Sequence, residues 1–437
     1  MFKVIFSKRH RPKIFGSFLL LLILAFQTNL LNPSEITFIR EIFNSSEKDI
    51  RLGEEAYLQG KYNKALNYFE ESLSKNISKL GQDHWLTATS YDGLGRAHHA
   101  IGNNYEALKF SKKALDIRRD TTGLVLSVAT SYSNTGLIHL SLANYSTAVV
   151  FFEEAILIAS KEVDKYHPLI AQIKNNLGLA NFYKGNFDIS LAQFNESLIA
   201  RLQTLDINHP SLAESYNNIA LVNYETAKYD SALKNFDKAI QITLKTYGYE
   251  HPSIATMYSN IGLIYNEKAD YKKAIQYFED SIKIRIKVFG DKHASLSESY
   301  NNIGLAYTLQ EEYDKGLEYQ EKSLQIVLAS LGEKHPSTAR TYQNLGAVYI
   351  SKKQYDKAIS LEKKALKIYL DTVGKNHVST ASVYSLLAEA YQLKGMYNKV
   401  IPNYEKSLKI LINTLGIKHP QTQFVKNKIA IAKLALK

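Results

Sequence analysis

Between His251 and Lys292, apolar and small residues recur at two successive helical spacings. Tyr258, Ile261, Gly262 and Tyr265 fall at i, i+3, i+4 and i+7 and so share one face of a helix, helix A. After Ala269 and Asp270 the pattern restarts with Tyr271, Ala274, Ile275, Phe278, Ser281 and Ile282, the stripe of a second amphipathic helix, helix B. That stripe runs out near Phe289, where Gly290 offers the residue type that most easily takes the left-handed conformation closing a helix. The stretch therefore predicts a helical hairpin, with the next unit opening at His293.

The pattern returns every 42 residues from near Ser46 to the C-terminus. A small residue marks helix A at Gly53, Gly95, Gly136, Gly178, Ala220, Gly262, Gly304, Gly346 and Ala388. Nineteen residues later another marks helix B at Ser72, Ala114, Ala155, Ser197, Ala239, Ser281, Ser323, Ala365 and Ser407. Helices approach closely only where a side chain is nearly absent, so these columns predict nine antiparallel hairpins over residues 46–417. A tenth A-type helix centred on Ala430, in residues 418–437, has no partner and is expected to close the stack with a soluble outer face. The fold class that follows is an all-α solenoid, each unit packing only on its neighbours. Hairpins two and three are the least regular: the step from Gly95 to Gly136 is 41 residues, and Ser111 stands where later B helices carry Phe152, Phe194, Phe236 and Phe278.

The string N-x-G/A-x-x-Y, then Y-x-x-A, then a small residue seven further on resembles the tetratricopeptide repeat. The 42-residue period, the NNIGL run from Asn301 to Leu305 and the G-x-x-H-P link resemble the kinesin light chain type of that repeat. The resemblance covers nearly everything after Ser46. It implies a right-handed superhelix whose A helices line a concave groove for an extended peptide or protein, and a scaffold rather than one particular function. Light-chain proteins carry a heptad coiled coil ahead of the repeats; here a different segment stands there, which argues against a motor–cargo adaptor.

That segment holds Lys3, Lys8, Arg9, Arg11 and Lys13 with no acid, followed by an apolar run from Ile14 to Phe26. The run is shorter than the roughly 17–25 residues of a spanning helix. Residues 1–31 are therefore read as an export signal peptide or, reaching toward Leu31, an N-terminal membrane anchor, with 32–45 as a junction. The expected location is exported, periplasmic or extracellular, or membrane-anchored. With no cysteine in the chain, lipid attachment through an N-terminal Cys and disulfide bonding are both excluded.

A net charge of +12 invites a nucleic-acid reading, which the placement of the charge opposes. Five of the 54 Lys and Arg lie in residues 1–13 and seven lysines, with no acid, in 406–437; the 42 that remain equal the 42 acids. The repeat body is neutral and offers no clustered stripe along which a phosphate backbone would run. The basic end is read as a solvated outer face, with contact to an anionic membrane as the other option.

Three columns carry candidate chemistry. Histidines recur at His84, His167, His209, His251, His293, His335, His377 and His419, often before proline. Same-column residues lie two helices apart, at about 8–10 Å per helix, so they cannot share a metal whose ligands sit near 2.1 Å. With proline at the first helical position they read as helix-start devices. Asparagines recur two residues before the small position, at Asn134, Asn176, Asn218, Asn260, Asn302 and Asn344. Asparagine is a poor helix-interior residue, so the column needs a reason. One is a bridge between adjacent A helices; the other, implied by the resemblance, is an amide facing the groove to hold a peptide backbone by donor and acceptor together. Leucines follow at Leu137, Leu179, Leu221, Leu263 and Leu305, either an apolar groove floor or a seal between A helices. Four residues before the asparagines stand Thr130, Gln172, Glu214, Thr256, Glu298 and Arg340. Only Arg340 suits the carboxylate grip of the chaperone-tail-binding branch, and Glu214 and Glu298 favour a basic or neutral ligand. With no Cys, no Walker-type glycine loop and no H-E-x-x-H helix, no enzyme and no cofactor is expected. The reading is a peptide- or protein-binding scaffold; the alternative is an envelope component that self-associates through its outer face and basic end.

Overall fold

The computed structural model describes residues 47–121 and 123–435. The readings for 1–31 and 32–45 lie outside them. Among the described residues every regular element is helical, and no helix is long and apolar enough to cross a membrane. The chain forms two compact units. The first comprises 47–142 and 150–163, the second 143–149 and 164–435.

The first unit holds α1 (47–58), α2 (Tyr62–Leu80), α3 (Trp85–Ala100), α4 (Asn104–Asp120), α5 (Val125–Ser141) and most of α6 (Tyr145–Ala159). The second holds the start of α6 and then α7 (Pro168–Tyr183), α8 (Phe187–Thr204), α9 (Pro210–Glu225), α10 (Tyr229–Tyr247), α11 (Pro252–Glu267), α12 (Tyr271–Phe289), α13 (Leu296–Leu309), α14 (Tyr313–Leu331), α15 (Pro336–Ser351), α16 (Tyr355–Thr372), α17 (Val378–Leu393), α18 (Val400–Leu415) and α19 (Pro420–Ala435). Odd-numbered helices up to α17 are A helices and even-numbered ones B helices. Within each unit, helices pack chiefly against their sequence neighbours, the arrangement of a hairpin solenoid. In the ninth hairpin a 3-10 turn at Tyr397–Lys399 precedes α18, whose first turn contains Pro402, a residue with no N–H to donate.

Helix starts and stops follow from local chemistry. His251 is the N-cap of α11: its extended backbone leaves the ring Nδ1 free to accept the Ser253 N–H at 3.3 Å, with Pro252 in the first turn. His167, His209, His335 and His377 cap α7, α9, α15 and α17 in the same way. At the other end, Gly290 closes α12 at φ 85°, ψ 166°, a region stricter than the left-handed helical one expected and open essentially to glycine alone. Between A and B helices a tight turn needs positive φ, which Ala227, Ala269 and Lys353 adopt despite their side chains.

The two small columns make room for different neighbours. The glycine of helix A makes room for an aromatic ring of helix B: a Cβ on Gly262 would lie 2.4 Å from Phe278, which is fully buried. Gly53, Gly136 and Gly178 stand in the same relation to Phe69, Phe152 and Phe194. Burying one such ring contributes about 1.5–3 kcal/mol. The small residue of helix B instead lets two A helices reach it: Ser281 Oγ lies 3.0 Å from Ser259 Oγ on α11 and 3.2 Å from Ser299 Oγ on α13.

The terminal helix also departs from expectation. α19 packs on α18 through Val425, Ile429 and Ala432, but its outer face is not wholly polar, since Phe424, Ile431 and Leu434 are exposed beside Lys428 and Lys433. Within the second unit, the turn after α7 lies against the start of α19: a Cβ on Gly185 would come 2.8 Å from the His419 ring and 2.9 Å from Pro420.

Candidate functional site

On each A helix one stripe combines the candidate residues. On α11, Thr256, Asn260, Leu263 and Glu267 fall at i, i+4, i+7 and i+11 and share a face. Glu214, Asn218, Leu221 and Glu225 repeat the stripe on α9, and Glu298, Asn302, Leu305 and Leu309 on α13. Leu179, Leu221 and Leu263 are half-buried and packed against core clusters, whereas Leu305 is 42% exposed. The leucines thus seal neighbouring helices and still present apolar surface.

The asparagine column divides in two. Asn134 Nδ2 donates to Asp92 of the preceding A helix at 3.1 Å, and Asn218 Nδ2 to Asn175 Oδ1 at 3.0 Å. Asn176, nearly buried, accepts from Gln172 at 3.2 Å. These amides fix the spacing or surroundings of A helices. Asn260, Asn302 and Asn344 are half-buried and, among the described residues, make no side-chain hydrogen bond. Their donors and acceptors remain available to a ligand.

Sequence reasoning missed a set of buried arginines. Arg201, near the end of α8, is 3% exposed and is wedged between α7 and α9. Its guanidinium donates to the Ser211 carbonyl at 2.7 Å, Ser215 Oγ at 2.8 Å and Gln172 Oε1 at 2.9 Å, and pairs with Glu214 at 3.0 Å. Glu214 also accepts from Asn175 at 3.0 Å, so charge and amides form one network. Arg285 repeats the arrangement between α11 and α13, donating to the Ser295 carbonyl and pairing with Glu298 at 3.3 Å. In the first unit Arg118 bonds Ser131 Oγ at 2.5 Å and lies 3.6 Å from Asp92. The signal was present: basic residues at 118, 201 and 285 recur near the C-terminal ends of alternate B helices.

Acidic groups dominate the rest of the face. Glu214 and Glu298 keep nearly half their side chains exposed, and Glu225 stands beside Glu267. Burial, and then the neighbouring Glu267 charge, push the Glu225 carboxyl above its usual range. Burial also pushes the Tyr224 hydroxyl up to about 12.

The family model of the tetratricopeptide repeat matches residues 46–120, 127–203, 169–245, 211–287, 253–315 and 295–371. No curated protein matches the chain. Among solved structures, the apo quorum sensor NprR from B. thuringiensis is similar at 15% identity and a TM-score of 0.59, over 84% of this chain and 98% of that one. A Rap protein complexed with competence and sporulation factor is similar at 15% identity and a TM-score of 0.57, over 92% and 100%. BtubC (BKLC) from P. vanneervenii shares 23% identity at a TM-score of 0.42, over 53% and 91%. These likenesses concern the fold.

Proposed function

Since the chain belongs to the tetratricopeptide repeat family, we propose that its A-helix face is a non-catalytic docking surface for an extended peptide or protein segment held largely by its backbone. The observation that carries this reading is the set of amides at Asn260, Asn302 and Asn344, half-buried and unbonded among the described residues, beside Leu263 and Leu305. An amide left in that position matches one peptide unit of a passing main chain, and the leucines match its apolar side chains. Asn134 and Asn218 serve the spacing of the scaffold instead, and Asn176 bonds within its own helix. The Rap structure above is complexed with competence and sporulation factor, a precedent for a ligand on a similar fold. The acids Glu214, Glu267 and Glu298 suit a ligand that is basic or neutral. Neither a cofactor nor nucleic acid enters this reading.

The test selects peptides from a random display library against the full chain and measures one by fluorescence anisotropy. Replacing Asn260, Asn302 and Asn344 by Ala removes three hydrogen bonds of about 0.5–1.5 kcal/mol each, so affinity should fall by roughly ten- to a thousandfold. Undiminished affinity in the folded triple variant refutes the backbone clamp.

The exposed Phe424, Ile431 and Leu434 on the lysine-rich α19 favour a second reading, association of this helix with another copy of the chain. Sedimentation mass that rises with concentration, and stops rising when Phe424 and Leu434 are changed to Ser, distinguishes it from face binding. From the basic residues before the apolar run Ile14 to Phe26 we further propose that the array is exported or held at a membrane. Fractionation with N-terminal sequencing reports whether the segment is removed; recovery of the whole chain in the cytosol overturns the proposal.

A further inference from the structure

The buried arginines define a position in the repeat, and in hairpins three and five a small residue takes it, Ala159 and Thr243. Arg201 and Arg285 stand 84 residues apart, and midway between them the same column holds Thr243 on α10. In hairpins seven and eight the column is filled by Val327 and Tyr369, both buried. Thr243 is short, and its hydroxyl turns back to the Ala239 carbonyl at 2.8 Å. What remains is a pocket of about 380 Å³ between α9 and α11, reached from the A-helix face at Glu214, Asn217 and Thr256.

We propose that this pocket receives the guanidinium of an arginine carried by the bound peptide. The neighbouring hairpins show how such a group is held. Arg201 and Arg285 each donate to a carbonyl at the start of the following A helix, Ser211 and Ser295, and each pairs with a glutamate. In the vacant position the corresponding carbonyl belongs to Ser253, 42 residues after Ser211, and Glu214 lines the opening. Each Glu214 oxygen already accepts one bond, from Asn175 or Arg201, and retains a second lone pair. One wall is aromatic: Tyr247 stacks on His251 with ring centroids 4.5 Å apart, a surface on which a planar guanidinium lies well. A lysine ammonium lacks both the fork and the plane. The site differs from its neighbours in two respects: the chain supplies no arginine of its own, and Thr256 stands in the column of Glu214 and Glu298, so the acid comes from the preceding A helix. The inference deepens the peptide-binding reading and rests on it for the arginine belonging to a peptide.

The test uses Nα-acetyl-arginine N-methylamide on the full chain, read by saturation-transfer difference NMR, beside the matching citrulline and lysine compounds. The arginine compound should bind saturably and the citrulline compound, of the same shape without the charge, about tenfold or more weakly. Thr243→Arg should abolish binding by filling the pocket from within, and Thr243→Tyr should do so with the residue the column carries at Tyr369. Both residues are native to this column, and circular dichroism checks that each variant is folded. Equal binding of arginine and citrulline compounds, or undiminished binding by both folded variants, overturns the proposal. The Ala variant of Asn260, Asn302 and Asn344 separates the two readings. If capped arginine binds while that variant still holds a selected peptide, the backbone clamp fails alone; if capped arginine does not bind while the variant loses the peptide, the pocket fails alone.

Discussion

Replacing Glu362 by Gln should stabilise the eighth hairpin, and more so at neutral than at acid pH. Glu362 occupies on α16 the column that holds Phe194, Phe236 and Phe278 in earlier hairpins, and it is fully buried against Gly346. Neither carboxyl oxygen has a hydrogen-bond partner, and burial pushes its pKa well above the ordinary value of 4.5. One hairpin earlier Gln320 fills the same place, its amide donating to the Asn301 carbonyl at 2.9 Å. In Glu362→Gln the equivalent acceptor is the carbonyl of Gln343, 42 residues after Asn301. An unpaired buried polar group costs about 1–3 kcal/mol and a new hydrogen bond contributes about 0.5–1.5, together about 1.5–4.5; the Gln oxygen stays unpartnered, as Gln320 Oε1 does, so a gain of roughly 1–3 kcal/mol is expected at pH 7.5. The folded pKa is raised, so the wild type has its full stability below 4.5 and loses it as pH rises toward the raised value. The gap between variant and wild type therefore widens from pH 4.5 upward, by at most about 1.4 kcal/mol per pH unit. Hydrogen exchange of the α15 and α16 amides reads this locally, which suits a solenoid whose stability is a sum of neighbouring terms. Equal protection in the two proteins at both pH values, or a gap that widens on acidification, refutes the reasoning.

Gly262→Leu should cost about 1–3 kcal/mol or more, because even its Cβ meets the Phe278 ring and a core that is already filled must shift; unchanged denaturant midpoints contradict the Gly–Phe packing. His377→Ala should cost about 1 kcal/mol by removing the acceptor of the Ser379 N–H, whereas His377→Asn should keep most of the cap. Burial lowers the His377 pKa, so its contribution is present above 6.5 and lost as pH falls through the lowered value. Melting curves at pH 7.5 and 5 should show the Asn variant less acid-sensitive than the wild type.

The period, the small columns and the punctuation at His–Pro and Gly made the hairpins readable, because each depends on residues a few positions apart. The family resemblance added the expectation of a binding face. What the sequence concealed depends on neighbours on other helices. Asn134 and Asn260 look alike in the column, yet the first bonds Asp92 and the second, among the described residues, makes no side-chain hydrogen bond. Arg201 looks like an ordinary cation at a helix C-terminus, and only the positions of Ser211 and Glu214 show that it is enclosed. Glu362 reads as a solvated acid until Gly346 is seen opposite it.

The nearness of Gly185 to His419 works as a buckle within the second unit. In an open spring, a disturbance at one coil leaves at the free end; here two turns far apart in sequence lie side by side, so a shift of either is felt by the other. Gly185, at φ 75°, is doubly constrained, by its backbone and by the ring and proline against it. A side chain there must displace the ring and the proline against it, so the closeness of these two turns is held by a residue far from the asparagines.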